Sequence, residues 1–190
     1  MALGSLKARY RSQEKKIIKI ISCSYQKHAD KILDIFNDAI LNSTAFYEYK
    51  PRTPESMVSW FKAKQDAHFP VIGLEDESGE LLGFGSYGTF RERPAYKYSV
   101  EHSVYVRKDQ RGKGFGRLIM SNIIQNARAQ DYHVLIGGID ESNTVSICMH
   151  TKLGFVHAGT IKHAAFKFGR WLNLSFYQLI LDTPENPVDG

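Results

Sequence analysis

The sequence predicts one α/β domain wrapped around a mixed β-sheet. Three observations carry that expectation. The chain has 190 residues and is 43% hydrophobic, which suffices for one sizeable core. Its patterned segments run β-α-α-β-β-β-α-β-α-β-β, an order that suits helices packed on a sheet. No internal repeat or interdomain linker divides it. We therefore expect a disordered leader or appended expression sequence over 1–16, one domain over 17–183 and a loose tail over 184–190.

The elements follow from local patterning. "IIKIISC" (17–23) is a short β-type run. "HADKILDIFNDAILNS" sets Ile32, Leu33, Ile35, Phe36, Ala39 and Ile40 at helical spacing. "TPESMVSWFKAKQ" opens a helix with Thr53 as N-cap, Pro54 at the first helical position and Glu55 near the positive end of the dipole. "FPVIGLE" and "ELLGFGSYGTF" flank "DESG" and read as a β-hairpin. After the polar loop "RERPA", "YKYSVEHSVYV" (96–106) is a long strand rich in β-branched and aromatic residues. Phe115, Leu118, Ile119, Ile123 and Ala127 form one face of a helix reaching about Gln130. "HVLIGGID" is the next strand, and the short helix in "ESNTVSICMHTKLGF" stops at Gly154. Two β segments close the domain, one within 155–168 and one over 170–181, joined tightly at "FGR".

Composition narrows the function classes. The formal charge of +5 suits nucleic acid, a membrane surface or a polyanionic small ligand without choosing among them. The basic residues are interspersed with acids and form no stripe with stacking aromatics, so a nucleic-acid partner is not expected. No apolar run approaches the roughly 20 residues needed to span a bilayer, so neither is a membrane partner, and the cytoplasm is the default compartment. Cys23 and Cys148 stand apart, in no CxxC pattern, and read as small core residues. The seven histidines show no HExxH-like spacing, so no metal is expected.

"QRGKGFG" (110–116) places three glycines at alternate positions between a strand and a helix start. The first amides of a helix lack internal partners and sit at the positive end of its dipole. Gly112, Gly114 and Gly116 put no Cβ before an approaching phosphate and tolerate positive φ, while Arg111, Lys113 and Arg117 add charge. The Walker pattern is absent, because glycine follows Lys113. The Rossmann pattern fails by one residue, because Arg117 stands where its third glycine belongs. What remains is R-x-x-G-x-G on Arg111, Gly114 and Gly116, followed by an amphipathic helix, a strand, Asn143, a helix and "LGF".

That order resembles the core of the GNAT superfamily of N-acetyltransferases over roughly residues 17–181. "NDAI", "SYGTFR", "VEHSVYV", "QRGKGFG", "HTKLGF" and "KFGRWLNL" are further similar to the group that acetylates phosphinothricin, methionine sulfoximine and methionine sulfone. The resemblance implies the acyl-CoA N-acyltransferase fold, a mixed, mostly antiparallel sheet flanked by helices. It also implies acetyl-CoA as co-substrate, a small amino acid analogue as acceptor and a homodimer. Acetylation of another amine, such as a polyamine or a protein N-terminus, and a non-catalytic acyl-CoA-binding module remain alternatives.

The resemblance also assigns residues. Arg111, Gly112, Lys113, Gly114, Phe115, Gly116 and Arg117 are the candidate diphosphate cradle. The backbone of Val104, Tyr105 and Val106 lies on a strand that splays from its neighbour and bonds the pantetheine. Asn143, which also reads as an N-cap, and Ser146 contact the cofactor arm.

An α-amine near pKa 8 is largely protonated at neutral pH and needs a base. Alternation puts Glu101 on a strand face with Ser103 and Tyr105, where by itself it reads as an ordinary solvent-facing carboxylate; the resemblance carried by "VEHSVYV" makes it the candidate base. His150 occupies a slot where many relatives carry an acidic tyrosine; proton donor, helper of the base and packing residue are all open to it. His102 and Ser103 adjoin the base; His102 either touches substrate or is a hydrogen-bonded histidine on the opposite sheet face. Arg91, Glu92 and Arg93 in "TFRERPAY" are the candidate acceptor contacts, Arg91 ahead of Arg93 as the guanidinium for a substrate carboxylate. Phe46, Tyr47 and Tyr49 read as pocket wall or packing, and Lys167 as site or dimer contact.

Overall fold

Alternating side chains on seven strands give the sheet two apolar faces, and four helices cover them. The computed structural model describes residues 17–189. The expected leader lies outside them. The elements are β1 (Lys19–Ser22), α1 (Tyr25–Asn42), α2 (Pro54–Asp66), β2 (Val71–Glu75), β3 (Leu81–Thr89), β4 (Ser99–Val106), α3 (Phe115–Ala129), β5 (Val134–Asp140), α4 (Thr144–Lys152), β6 (Val156–Lys167) and β7 (Arg170–Ile180). The strand order is β1-β2-β3-β4-β5-β7-β6. Every neighbouring pair is antiparallel except β4 and β5, which run parallel.

The helix periodicities become buried faces. Ile119, Met120, Ile123 and Ala127 of α3 pack on Ile72, Leu82, Tyr87, Val100 and Leu135, with Met149 and Leu153 from the α4 region beside them. On the opposite face Ile32, Leu33, Ile35 and Phe36 of α1 and Met57 and Phe61 of α2 pack on Val71, Leu81 and Phe84. Alternation along β4 therefore sorts its residues by helix layer. Val100, Val104 and Val106 join the α3 side, while Tyr105 joins the α1/α2 side, where its ring lies 5.4 Å from Phe36 and stacks on Phe46 at 5.3 Å.

Several boundaries move from their expected places for local reasons. α1 begins at Tyr25, before the run read as helical, with the Ser24 N–H donating to His28 Nδ1 (2.9 Å). Thr53 caps α2 by backbone position alone, its carbonyl accepting from the Ser56 N–H (3.1 Å) and Oγ–H (2.6 Å). β4 starts at Ser99, because Pro94–Tyr96 close a 3-10 turn in place of the expected first strand residues. α4 does end where Gly154 takes a positive φ of 90°. Cys148, expected in the core, is exposed, since it lies on the outward side of the short α4; Cys23 is half-buried. The segment 184–189 has no regular element, but Val188 is tied through its N–H (3.1 Å) and carbonyl (3.3 Å) to the Tyr98 hydroxyl.

Candidate active site

The sheet opens at its centre. β4 and β5 pair only at Ser99↔Val134, Val100↔Leu135 and Glu101↔Ile136, and no pairing continues beyond. The Tyr98 carbonyl accepts from the N–H groups of His133 (2.8 Å) and Val134 (3.1 Å). In an extended strand every second residue repeats that direction, so Val100, His102, Val104 and Val106 also turn their peptide groups toward β5. The Arg107 N–H, by contrast, goes back to Leu82 on β3 (2.9 Å). Past Glu101, then, the peptide groups of His102 and Val104 face a gap between parted strands. Tyr105, of the other parity, spends its carbonyl on the β3 side, where it would lie 2.7 Å from any Cβ at Gly83.

Two cavities meet at this gap. The larger, about 870 Å³, runs along the start of α3 and is lined by Val104, Tyr105, Val106, Arg111, Gly112, Gly114, Phe115, Gly116, Arg117, Asn143 and Ser146 among others. The smaller, about 450 Å³, surrounds Glu101, His102, Ser103, Asp140 and His150. Both use Thr44, Ala45, Val104, Tyr105, Asn143, Ser146 and Met149 as wall, so they form one continuous cleft.

At the larger end Gly112 (φ 79°) and Gly114 (φ 83°) hold left-handed conformations that a side chain would strain, and Gly114 is the N-cap of α3. Gly116 serves differently. It stands inside the first turn without a positive φ, and a Cβ there would lie 3.2 Å from Met149 Sδ of α4. Arg111 donates from Nε to the Val106 carbonyl (3.1 Å) and from Nη2 to Asp38 (3.2 Å), which braces the turn against β4 and α1. Lys113 bonds Gln110 Oε1 (2.8 Å) and stands outside the lining. Asn143 caps α4, its Oδ1 accepting the Ser146 N–H (3.1 Å).

At the smaller end two adjacent glycines of β5 make room on opposite faces. A Cβ on Gly138 would lie 3.2 Å from Glu101 Oε1, whereas one on Gly137 would lie 2.7 Å from His102 Nε2 and 3.4 Å from His150 Nε2. Glu101 thus reaches over Gly138 on the α1/α2 face. The walls around it raise its pKa above the ordinary value by desolvation, against the opposing pull of the Arg91 charge. No described residue hydrogen-bonds its carboxylate. His102 lies on the other face, buried, with its ring stacked on His150 at 5.0 Å and both nitrogens without a partner among the described residues. It is therefore the opposite-face histidine of the two readings, but without the hydrogen bond.

His150 is buried too, and its Nδ1 lies 2.7 Å from the Ser146 carbonyl. A carbonyl only accepts, so Nδ1 carries the proton and Nε2 is left as a lone pair with no described partner. Burial depresses both imidazoles and takes His102 well below its usual value, with repulsion between the two rings when protonated as a smaller second cause there. A neutral His150 with that tautomer accepts a proton at Nε2 and has none to donate there.

The remaining candidates fall in several places. Arg91, Glu92 and Arg93 are exposed and line a separate hollow with Pro94, Tyr96 and Tyr132; only the charge of Arg91 is felt at Glu101. Phe46 and Tyr47 wall the smaller cavity, and Tyr49 does not: its hydroxyl donates to the Phe166 carbonyl (2.5 Å). Lys167 is buried and donates to the carbonyls of Ile40 (2.7 Å), Ser43 (3.0 Å) and Phe46 (2.6 Å), pinning the end of α1 and the wall that follows.

Four polar residues of the smaller cavity escaped sequence reasoning: Thr44, Lys64, Thr89 and Asp140. Burial would raise the Asp140 carboxyl, but bonds from Ser142 and Thr44 and the charge of Arg170 hold it below its usual range. The adjacent glycines of "IGGID" were the available signal for a crowded site.

Residues 33–155 match the model of the acetyltransferase (GNAT) family. The chain belongs to that family.

Its relatives share most of the length. The chain is 44% identical over 151 residues to the L-methionine sulfoximine/L-methionine sulfone acetyltransferase of Pseudomonas paraeruginosa, covering 80% of this chain and 88% of that protein. A solved structure from Acinetobacter baylyi ADP1 superposes with a TM-score of 0.91 at 53% identity, over 93% of this chain and 98% of the other. The phosphinothricin acetyltransferase of Sinorhizobium meliloti, solved in complex with acetyl-CoA, has a TM-score of 0.85 at 29% identity, over 90% and 92%. The seven-stranded sheet with its parted centre is thus a GNAT fold. Among the described residues no helix is long and apolar enough to cross a membrane, and no cluster of His, Cys, Asp and Glu could hold a metal ion.

Proposed function

We propose that this GNAT protein transfers acetyl from acetyl-CoA to the α-amine of a small amino acid analogue such as methionine sulfoximine, methionine sulfone or phosphinothricin. The single observation that carries the reading is the continuous cleft. It has a helix N-terminus with left-handed glycines at one end, a carboxylate of raised pKa at the other, and unpaired strand peptides between them. The names of the relatives supply the acceptor class.

The larger cavity fits acetyl-CoA by size and donor chemistry. The amides after Gly114, with Arg117, hold the diphosphate; Arg111 braces the turn; and Lys113 adds only long-range charge. The peptide groups of His102 and Val104 and the N–H of Val106, whose carbonyl is taken by Arg111, suit the amides of the pantetheine arm, and Asn143 and Ser146 close its far wall. Acetyl-CoA supplies the thioester acyl group. Glu101 takes the proton of the acceptor ammonium, and its raised pKa brings it closer to that task near neutral pH. The His150 lone pair offers a second proton acceptor on the opposite side of the gap, with His102 packed against it. Ser103 and Arg91 flank Glu101, Arg91 by its charge. Neither cysteine lines the cleft, which favours direct attack by the amine over a thiol-bound acyl enzyme.

A homodimer forms on the β6–β7 face, where Ile161, Phe166, Phe168 and Trp171 are exposed around an edge strand. Sedimentation at the monomer mass would remove that element. Thiol release with methionine sulfone tests the reaction. Glu101→Gln should bind acetyl-CoA as before and lose about 10²- to 10⁴-fold in kcat. An unchanged kcat/KM at every pH would take Glu101 out of the reaction.

A further inference from the structure

A zwitterionic acceptor brings an anion as well as an amine, and the cavity around Glu101 holds one ready cation. Among the described residues that line it, Lys64 is the only lysine or arginine. It comes from the last turn of α2. Its Nζ donates to the Tyr87 carbonyl (2.6 Å) and lies 5.7 Å from the Trp60 ring and 5.5 Å from the Phe69 ring, so the ammonium is held by one carbonyl and two aromatic rings. An ammonium has three donors, and no described residue accepts from the other two. Burial, with the charge of Arg52, lowers its pKa to about 8, as expected of a cation still short of a counter-ion.

Its place relative to Glu101 follows from the sheet register. Gly88 of β3 is paired directly with Glu101 of β4, so a side chain on Gly88 would share the face of Glu101. Lys64 fills that space, its Nζ 3.3 Å from where the Gly88 Cβ would stand. On the other side Glu101 Oε1 lies 3.2 Å from the corresponding point on Gly138 of β5. The cation therefore lies on the β3 side of Glu101, and the carboxylate leans away from it toward Gly138, which stands two residues past Ile136, the β5 partner of Glu101; the two charged groups are on the order of 10 Å apart. An α-amino acid hydrogen-bonded at both charged groups spans about 9 Å, given its covalent geometry and two charge-assisted bonds.

We propose that Lys64 receives the α-carboxylate of the acceptor while Glu101 receives its α-ammonium, so that a free carboxylate is a condition of acceptance. The assignment rests on the acetyl-transfer reading and deepens it. It separates free amino acids from peptide N-termini and polyamines, which have no carboxylate at that distance. It also replaces the loop arginines in this role, since Arg91 and Arg93 line a different hollow.

The test compares methionine sulfone with its methyl ester in wild type, Lys64→Met, Lys64→Arg and Arg91→Ala. Wild type should prefer the free acid in kcat/KM by roughly 10- to 100-fold, the range of one charge-assisted bond. Lys64→Met should bring that ratio toward one without moving the KM for acetyl-CoA. Lys64→Arg should restore part of it, and Arg91→Ala should keep it. A preference retained in folded Lys64→Met, or lost in Arg91→Ala alone, overturns the assignment and leaves acetyl transfer standing. If wild type acetylates neither compound, the function falls and the assignment with it.

Discussion

The two glycines of "IGGID" carry opposite loads, and an added methyl group on each should separate stability from turnover. At position 137 the new Cβ would meet His102 Nε2 at 2.7 Å, His102 Cε1 at 3.0 Å and His150 Nε2 at 3.4 Å. Unbonded heavy atoms prefer about 3.5 Å, so the His102 ring must retreat by about 0.8 Å. Its path is filled by Phe155, whose ring centre is 5.4 Å away. Overpacking of that kind costs about 1–3 kcal/mol, of which the stiffer unfolded chain of alanine returns about 0.4–1. Gly137→Ala should therefore lose about 1–2 kcal/mol, or roughly 2–8 °C in Tm for a chain of this length.

At position 138 the Cβ meets Glu101 Oε1 and Leu174 Cδ1, both at 3.2 Å. A carboxylate tip can yield the needed ~0.3 Å at little cost in stability, within about 0.5 kcal/mol. It is, however, the proposed base. Since about 1 Å of misplacement costs on the order of 10²-fold, Gly138→Ala should slow kcat by roughly 3- to 10-fold. Thermal melting and thiol release on both variants read the two effects. If Gly138→Ala melts as low as Gly137→Ala, or turns over like wild type, the placement of these side chains over the two glycines is wrong.

Two further outcomes follow from desolvation of charge, partial at the exposed Glu101 and near complete at Lys167. Glu101 has a folded pKa above its unfolded value, so it favours the fold at low pH and loses that contribution as pH rises through the folded pKa. Glu101→Gln should thus melt higher than wild type at neutral pH, with the gain vanishing below the ordinary carboxylate range; a gain that grows on acidification would contradict this. Lys167→Met leaves the buried Ile40 carbonyl and the half-buried carbonyls of Ser43 and Phe46 without this donor, at a net cost of about 2 kcal/mol after relief of the desolvated ammonium. It should lower Tm by roughly 4–8 °C and raise KM for both substrates, because residues 43–45 wall the larger cavity and 44–47 the smaller. A normal KM for each would limit Lys167 to stability.

What could be read locally was read well. Element order, the hairpin at Asp76–Gly79, the apolar stripes of α1 and α3, and the glycine turn before Phe115 all depend on neighbours within a few residues. Such neighbours fix backbone choice and the direction of each side chain. Alternation alone put Glu101 and Tyr105 on one face of β4. Cys148 was misjudged because an apolar neighbourhood in sequence says nothing about which side of a short helix faces water. In the loop "TFRERPAY" charge type was visible in sequence, whereas the placement of Arg91 and Arg93 in a hollow beside the cleft was not.

From residue order and chemistry alone, then, came the α/β architecture and the glycine turn ahead of α3, while the resemblance singled out Glu101 as the candidate base. Only the folded sheet decided where β5 leaves β4, which peptide groups that departure frees, that His102 and His150 stack on the far face, and that Lys64 stands beside Gly88. Each of these depends on segments more than 20 residues apart meeting in one register, as Lys64 and Glu101 do across Gly88. No local preference encodes such a meeting; it is set by how the two apolar faces of the sheet are jointly buried.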